Sequence, residues 1–296
     1  MKGIFSLFAV ILFFPLSLCA IAGSFFDGMV VFGDSLSDNG NLFRLKKGQI
    51  LTPPYYQGRC SNGPVWVEYL TEKLGLPLSD LNDLAIAGAE TSGQHPEGMT
   101  TQVSLYVKTH PVLDHHKVYI IWAGANNYLK HPYTGSYRVK HTINDIQTAI
   151  IMLAQHGAHY ILIPNLPDLG TTPLANNMQR KRPYLNIQHQ LTKATLAHNL
   201  ALAEAITNLQ KKWKKTPIVL LSMDDAGMVK EAEEYPKRFG LINIDQACYQ
   251  GKALFHGGGA VCAEPDKYLF WDIVHPTTAG HAALADLALQ TLKNRA

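Results

Sequence analysis

Near the end of the 296-residue chain, Asp272 and His275 stand three residues apart in "WDIVHP". In a non-helical turn that spacing brings the carboxylate to one ring nitrogen and leaves the other facing outward. That is the orienter–base half of a nucleophilic triad. Such a base needs a hydroxyl to activate, and Ser35 in "VVFGDSLSDNGN" (30–41) is the candidate. There an apolar run stops at Gly33-Asp34-Ser35, which reads as a buried strand leaving a sheet. A serine just past it lies at the C-terminal edge, where open α/β sheets place their ligand crevice. Serine attack on a carbonyl creates an oxyanion, and the oxyanion needs donors waiting for it. Asn126 in "WAGANN" (122–127) can donate from its side chain, Gly88 in "DLAIAGAET" (83–91) from its backbone, and Ser35 from its own N–H at the start of a helix. Each residue has a plainer use alone: Ser35 as a helix cap, Asn126 as a turn residue, Gly88 in packing, Asp272–His275 as a loop tie. All of them fall after apolar strands or in long loops, and that convergence points to acyl-transfer chemistry.

The elements that must position them alternate along the chain. "KVYIIWAG" (117–124) is a strand ending in glycine, 138–158 is an amphipathic helix, and "HYILIPN" (159–165) is a strand stopped by Pro164. A long helix over 186–215 and a strand at "TPIVLLSM" (216–223) follow, and a helix over 277–294 capped by Thr277 or Thr278 closes the chain. Alternation of this kind predicts an α/β fold, a three-layer α/β/α sandwich around a mostly parallel sheet. No internal repeat or linker interrupts residues 23–296, so one domain is expected there. The connecting segments 40–65, 90–112, 166–185 and 235–275 are long, which in a compact domain marks functional loops.

Composition excludes several classes. Hydrophobic content of 47% with 17% charged residues is that of a globular protein. Net charge is only +3, and the single basic cluster, "KKWKK" (211–215), ends a helical pattern where cations suit the dipole, so no nucleic-acid partner is expected. No H-E-x-x-H or zinc-finger spacing occurs, and neither a metal nor another cofactor is expected. "HGGG" (256–259) looks like a lipase oxyanion motif but lies far beyond Ser35, and no G-x-S-x-G accompanies it.

Residues 1–22 read as a secretory signal peptide: Lys2, an apolar run from Ile4 to Leu18, then Ala20-Ile21-Ala22 before the cut. A lipoprotein signal at Cys19 is disfavoured by Leu18. The mature protein is then exported, extracellular or periplasmic, into an oxidising compartment. Cys60, Cys248 and Cys262 remain, and Cys248 could close a local loop with Cys262, although other pairings stay open.

Taken together the motifs resemble the GDSL family of SGNH hydrolases. "FGDSLSDNGN", "AIAGAET", "GANN" and "DIVHP" match its four blocks, and "GRCSNGPVWVEYL" (58–70) and "LPDLGTTP" (166–173) match its larger members. The resemblance implies a flavodoxin-like fold, a catalytic Ser35–His275–Asp272 triad, and an oxyanion hole of Ser35 N–H, Gly88 N–H and the Asn126 side chain. Asn127 departs from the aspartate usual in the third block. Cys60 stands where an aromatic residue is usual, which favours the Cys248–Cys262 disulfide. The function implied is a secreted lipase or esterase acting on lipid esters, above all lysophospholipids, as a lysophospholipase or phospholipase A with acyl transfer to an alcohol as a variant. A carbohydrate or small-ester esterase is the alternative. Expected partners are the lipid substrate, a transient membrane surface, and an activating protease at the flexible 248–262 loop around Lys252.

Overall fold

The structure is a computed structural model describing residues 25–93, 98–133, 135–251 and 255–294. The expected signal peptide at 1–22 and the loop residue Lys252 lie outside the described residues. Five parallel strands form the central sheet: β1 (Gly28–Gly33), β2 (Leu81–Asp83), β3 (Lys117–Trp122), β4 (Tyr160–Pro164) and β5 (Val219–Met223). Their spatial order is β2-β1-β3-β4-β5, the doubly-wound order whose reversal falls between β1 and β3. β1 is buried at every position, as a strand covered on both faces must be, and that explains its unbroken apolar run.

The helices are α1 (Asn41–Leu45), α2 (Trp66–Lys73), α3 (Met99–Thr109), α4 (Ala125–Leu129), α5 (Gly135–Gln155), α6 (Pro173–Lys181), α7 (Ile187–Lys212), α8 (Asp225–Glu234) and α9 (Thr278–Lys293). α2 packs on α9 on one side of the sheet, and α3, α5 and α7 pack in succession on the other. The main core fills both interfaces, with Met29, Phe32, Trp66, Ile120, Ile150 and Leu162 among its buried members. Beyond the sheet, β6 (Asn243–Ala247) pairs with β9 (Tyr268–Phe270), and β7 (Tyr249–Gln250) pairs with β8 (Ala260–Val261).

Several expectations need correction. Ser35 does not start a helix: residues 35–37 form a single turn, with Ser37 and Asp38 N–H both donating to the Asp34 carbonyl, and α1 begins only at Asn41. Ser35 is therefore no helix cap. The apolar stretch before Gly88 is a strand only to Asp83, after which it runs on beside β1 through Leu84 N–H to Val31 O and Ile86 N–H to Gly33 O. Asn126 lies in the first turn of α4, just after the Gly124 turn that ends β3. The segments 40–65, 90–112 and 166–185 contain α1, α3 and α6. Helices this short draw most of their stability from packing against the rest of the fold.

Candidate active site

β1 ends in Gly33 because nothing larger fits: a Cβ there would collide with the Trp122 carbonyl of β3. The Gln102 side chain then closes the strand end, its Oε1 accepting from Gly33 N–H (2.8 Å) and its Nε2 donating to Gly33 O (2.9 Å). The turn that follows presents Ser35 at the switch point, where an open doubly-wound sheet forms its crevice.

His275 arrives from the other end of the chain. Residues 271–275 make a bend between β9 and α9, held by Trp271 N–H to His275 O (2.7 Å) and a bridge from Phe270 to Pro276. Within it, His275 Nδ1 lies 2.8 and 2.9 Å from the two Asp272 oxygens, and His275 Nε2 lies 2.8 Å from Ser35 Oγ. With the Nδ1 proton directed at the carboxylate, Nε2 is left to accept from the serine hydroxyl. Ser35, Asp272 and His275 are all buried, at 6, 3 and 2% exposure, so water hardly dilutes these bonds. Burial pushes the Asp272 carboxyl up, but the charge and N–H groups of His275 and the Val274 N–H outweigh it and hold it below its ordinary value. A hydroxyl so placed can attack a carbonyl while its proton passes to the imidazole.

Tyr55 completes this carboxylate cage, and sequence reasoning missed it. Its hydroxyl donates to Asp272 Oδ2 (2.8 Å) and accepts from Phe255 N–H (3.3 Å). Tyr55 belongs to a second core cluster with Leu51, Cys60, Cys248, Tyr249 and Trp271, which backs the bend from behind. Nothing in "TPPYYQ" separates Tyr55 from Tyr56; only the fold decides which tyrosine turns inward, leaving Tyr56 37% exposed.

The residues expected to supply the oxyanion donors lie on the same cavity. Gly88 has φ +83° with open space where a Cβ would stand, so its backbone faces the crevice. Three ties fix its turn: Asp38 Oδ2 accepts from Ala87 N–H (2.7 Å), Lys130 Nζ donates to Gly88 O (2.8 Å), and Asn126 Nδ2 donates to Ala89 O (2.9 Å). Asn126 Nδ2 also reaches Asp34 Oδ2 at 3.3 Å. Among the described residues no acceptor meets the N–H of Ser35 or of Gly88. Asn127 turns the other way, buried against Thr91, whose N–H it accepts and whose Oγ it reaches at 3.0 Å each. Asp34 is buried beside Ser35, and burial, opposed by the Leu36 N–H, His275 and Asn126, pushes its carboxyl up to about 6.

Ser35, Gly88, Asn126 and His275 line a cavity of about 280 Å³ whose walls are otherwise mainly apolar, with Leu36, Leu129, Leu169, Met228, Phe255 and Val274 among them. Cys248 and Cys262 form a disulfide, and Cys60 is a buried free thiol. The loop that this bond closes reaches the site directly: Phe255 tilts against the His275 ring at 5.9 Å, and its carbonyl accepts from Leu51 N–H. Among the described residues no three His, Cys, Asp or Glu side chains gather as a metal site would need, and no helix is long and apolar enough to cross a membrane.

Known proteins resemble this chain over most of its length. It is 28% identical to a phosphatidylcholine-sterol acyltransferase of Aeromonas hydrophila, over 91% of each chain. It is 28% identical to the thermolabile hemolysin of Vibrio parahaemolyticus and 29% identical to the secreted effector protein SseJ of Salmonella typhimurium. It spans 64% and 61% of those two, less than two thirds of their length. Among solved structures, a carbohydrate acetylesterase family member from Sinorhizobium meliloti aligns with 90% of this chain and 97% of its own, at TM-score 0.49 and 15% identity. The model of the GDSL-like lipase/acylhydrolase family matches residues 29–288, from the first residues of β1 to the middle of α9. This chain therefore belongs to the GDSL-like lipase/acylhydrolase family and is a carboxylic ester hydrolase.

Proposed function

We propose that the protein is an exported serine acylhydrolase of lipid esters, with lysophospholipid as the substrate class. Ser35 Oγ attacks the ester carbonyl as its proton passes to His275 Nε2. The N–H groups of Ser35 and Gly88 and the Asn126 amide receive the oxyanion. Collapse of the intermediate expels the alcohol with that proton and leaves an acyl-serine. Water, or a second alcohol in the acyl-transfer variant, then attacks the acyl-serine, again deprotonated by His275. Asp272 keeps the imidazole in the tautomer this requires.

The observation that carries the lipid assignment is the apolar cavity beside Ser35. An acyl chain leaves water there against mainly apolar walls, whereas a sugar would lose most of its hydrogen bonds. The acyltransferase relative, whose name specifies a phosphatidylcholine acyl donor, supports the same reading. Export is supported by the Cys248–Cys262 bond, which persists in oxidising compartments.

The test sets purified protein and Ser35→Ala on lysophosphatidylcholine and on acetylated xylan. Fatty-acid release from the first by wild type, and none by Ser35→Ala, is expected. Faster acetate release from xylan would replace the lipid reading by the carbohydrate-esterase one. More than a few per cent residual activity in Ser35→Ala would overturn the nucleophile.

A further inference from the structure

Three aspartates line the cavity, and among the described residues one has no hydrogen-bond partner. Asp34 is engaged by Leu36 N–H and Asn126, and Asp168 by Gly170 N–H and the Thr192 hydroxyl. Asp225 is 2% exposed, and its buried Oδ1 meets no donor or acceptor. Nor does α8 need this residue as its cap. Asp224 already accepts from Gly227 N–H (3.1 Å), and Asn165 Oδ1 takes the Ala226 N–H (2.8 Å). Burial, and then the neighbouring Asp224, push the Asp225 carboxyl up to about 8. At neutral pH it is an uncharged acid with one O–H to donate and an oxygen to accept.

Its place relative to Ser35 follows from the sheet. Ser35 stands two residues past the end of β1 and Asp225 two past the end of β5, with β3 and β4 between. Three strand spacings separate them by roughly 14 Å along the sheet edge, the reach of an extended chain of about ten to twelve bonds. Leu169, Met228 and Val229 line the cavity that both residues share.

We propose that Asp225 is a specificity-determining residue: it hydrogen-bonds an oxygen, hydroxyl or keto, carried near the far end of a medium-length acyl chain whose ester carbonyl sits at Ser35. This rests on the lipid-ester reading. A plain alkyl chain would leave the acid unpaired beneath it, and a site holding a buried polar group discriminates against the analogue that cannot pair with it.

Kinetics on p-nitrophenyl dodecanoate and its ω-hydroxy analogue test the proposal, with wild type, Asp225→Leu and Asp225→Asn. The readout is the ratio of kcat/KM for the hydroxylated over the plain ester, which a merely structural role would not move. Asp225→Leu should lower that ratio at least about tenfold, while Asp225→Asn, which still donates and accepts, should keep it within about threefold. Equal ratios in all three proteins would overturn the proposal. Should Asp225→Leu not fold, a fall of about tenfold or more in the Asn variant's ratio relative to wild type, or a wild type that itself rejects the hydroxylated chain about tenfold, would overturn it as well. Preference of the wild type for p-nitrophenyl acetate over both long esters would defeat the lipid reading, and the ratio would still report on Asp225.

Discussion

Tyr55 offers a sharp test of how the site is held. Its hydroxyl donates one of the bonds that Asp272 receives; the others come from His275 Nδ1 and the N–H groups of Val274 and His275. Tyr55→Phe removes that donor and keeps the ring that packs edge-on against Tyr249 and Trp271. A hydrogen bond to a charged group contributes about 1.5–3 kcal/mol. At 2–4 °C per kcal/mol for a chain of this size, the melting temperature should fall by roughly 3–12 °C. The imidazole keeps its bond to the carboxylate, so kcat should drop no more than about tenfold, which is 1.4 kcal/mol of barrier. Removing the carboxylate in Asp272→Ala should instead cost roughly 10⁴-fold, the loss seen when a triad imidazole is no longer held in its tautomer. The pH dependence has a definite sign. The depressed Asp272 pKa contributes stability above the ordinary carboxylate value that is lost as pH falls through the folded one, so Tyr55→Phe should begin to unfold at a higher pH on acidification. Thermal melts across acid pH and kcat on a saturating short ester measure both. An unchanged melting temperature, or a kcat as low as that of Asp272→Ala, would refute the reasoning.

Asn126→Ala should lower kcat by roughly 10²–10³ with little change in KM, as removing one oxyanion donor does. Asn127→Ala should mainly cost stability, because it strands buried Thr91; a reversal of the two effects in steady-state kinetics would exchange their roles. Cutting the chain at Lys252 or deleting 252–259 should raise activity on long-chain lipid esters more than on a short ester, since Phe255 walls the cavity against His275. The Cys248–Cys262 bond, which contributes about 3 kcal/mol in the chain-entropy model, should keep the cut pieces joined on a non-reducing gel, and equal gains on both esters would sink the idea. Asp225 keeps its proton in the folded state up to about 8, so its contribution to stability is present below about pH 4 and lost as pH rises to 8. Asp225→Leu should therefore melt higher than wild type at pH 8 and by a smaller margin at pH 5.

Much of this site was legible in the chain because its chemistry is local. Asp272 and His275 meet within one bend, so a three-residue spacing in front of Pro276 suffices to pair them. Ser35 and Asn126 each follow a buried strand closely, and parallel strands deliver whatever follows them to one edge. Strand–helix alternation then implied the sheet, since buried parallel strands read as unbroken apolar runs. The sheet order was a different matter. That β1 stands between β2 and β3, bringing Ser35 to the switch point beside Asn126, depends on long-range pairing that no local pattern encodes. Tyr55 and Asp225 were invisible for the same reason. One tyrosine in "PPYYQ" turns toward a carboxylate 217 positions away, and one acid in "MDDAG" turns into an apolar wall while its neighbour caps a helix. Hydropathy and spacing describe what surrounds a residue along the chain. Which side chains lose water together, and so which polar groups must find partners or go without, is settled only when the layers close.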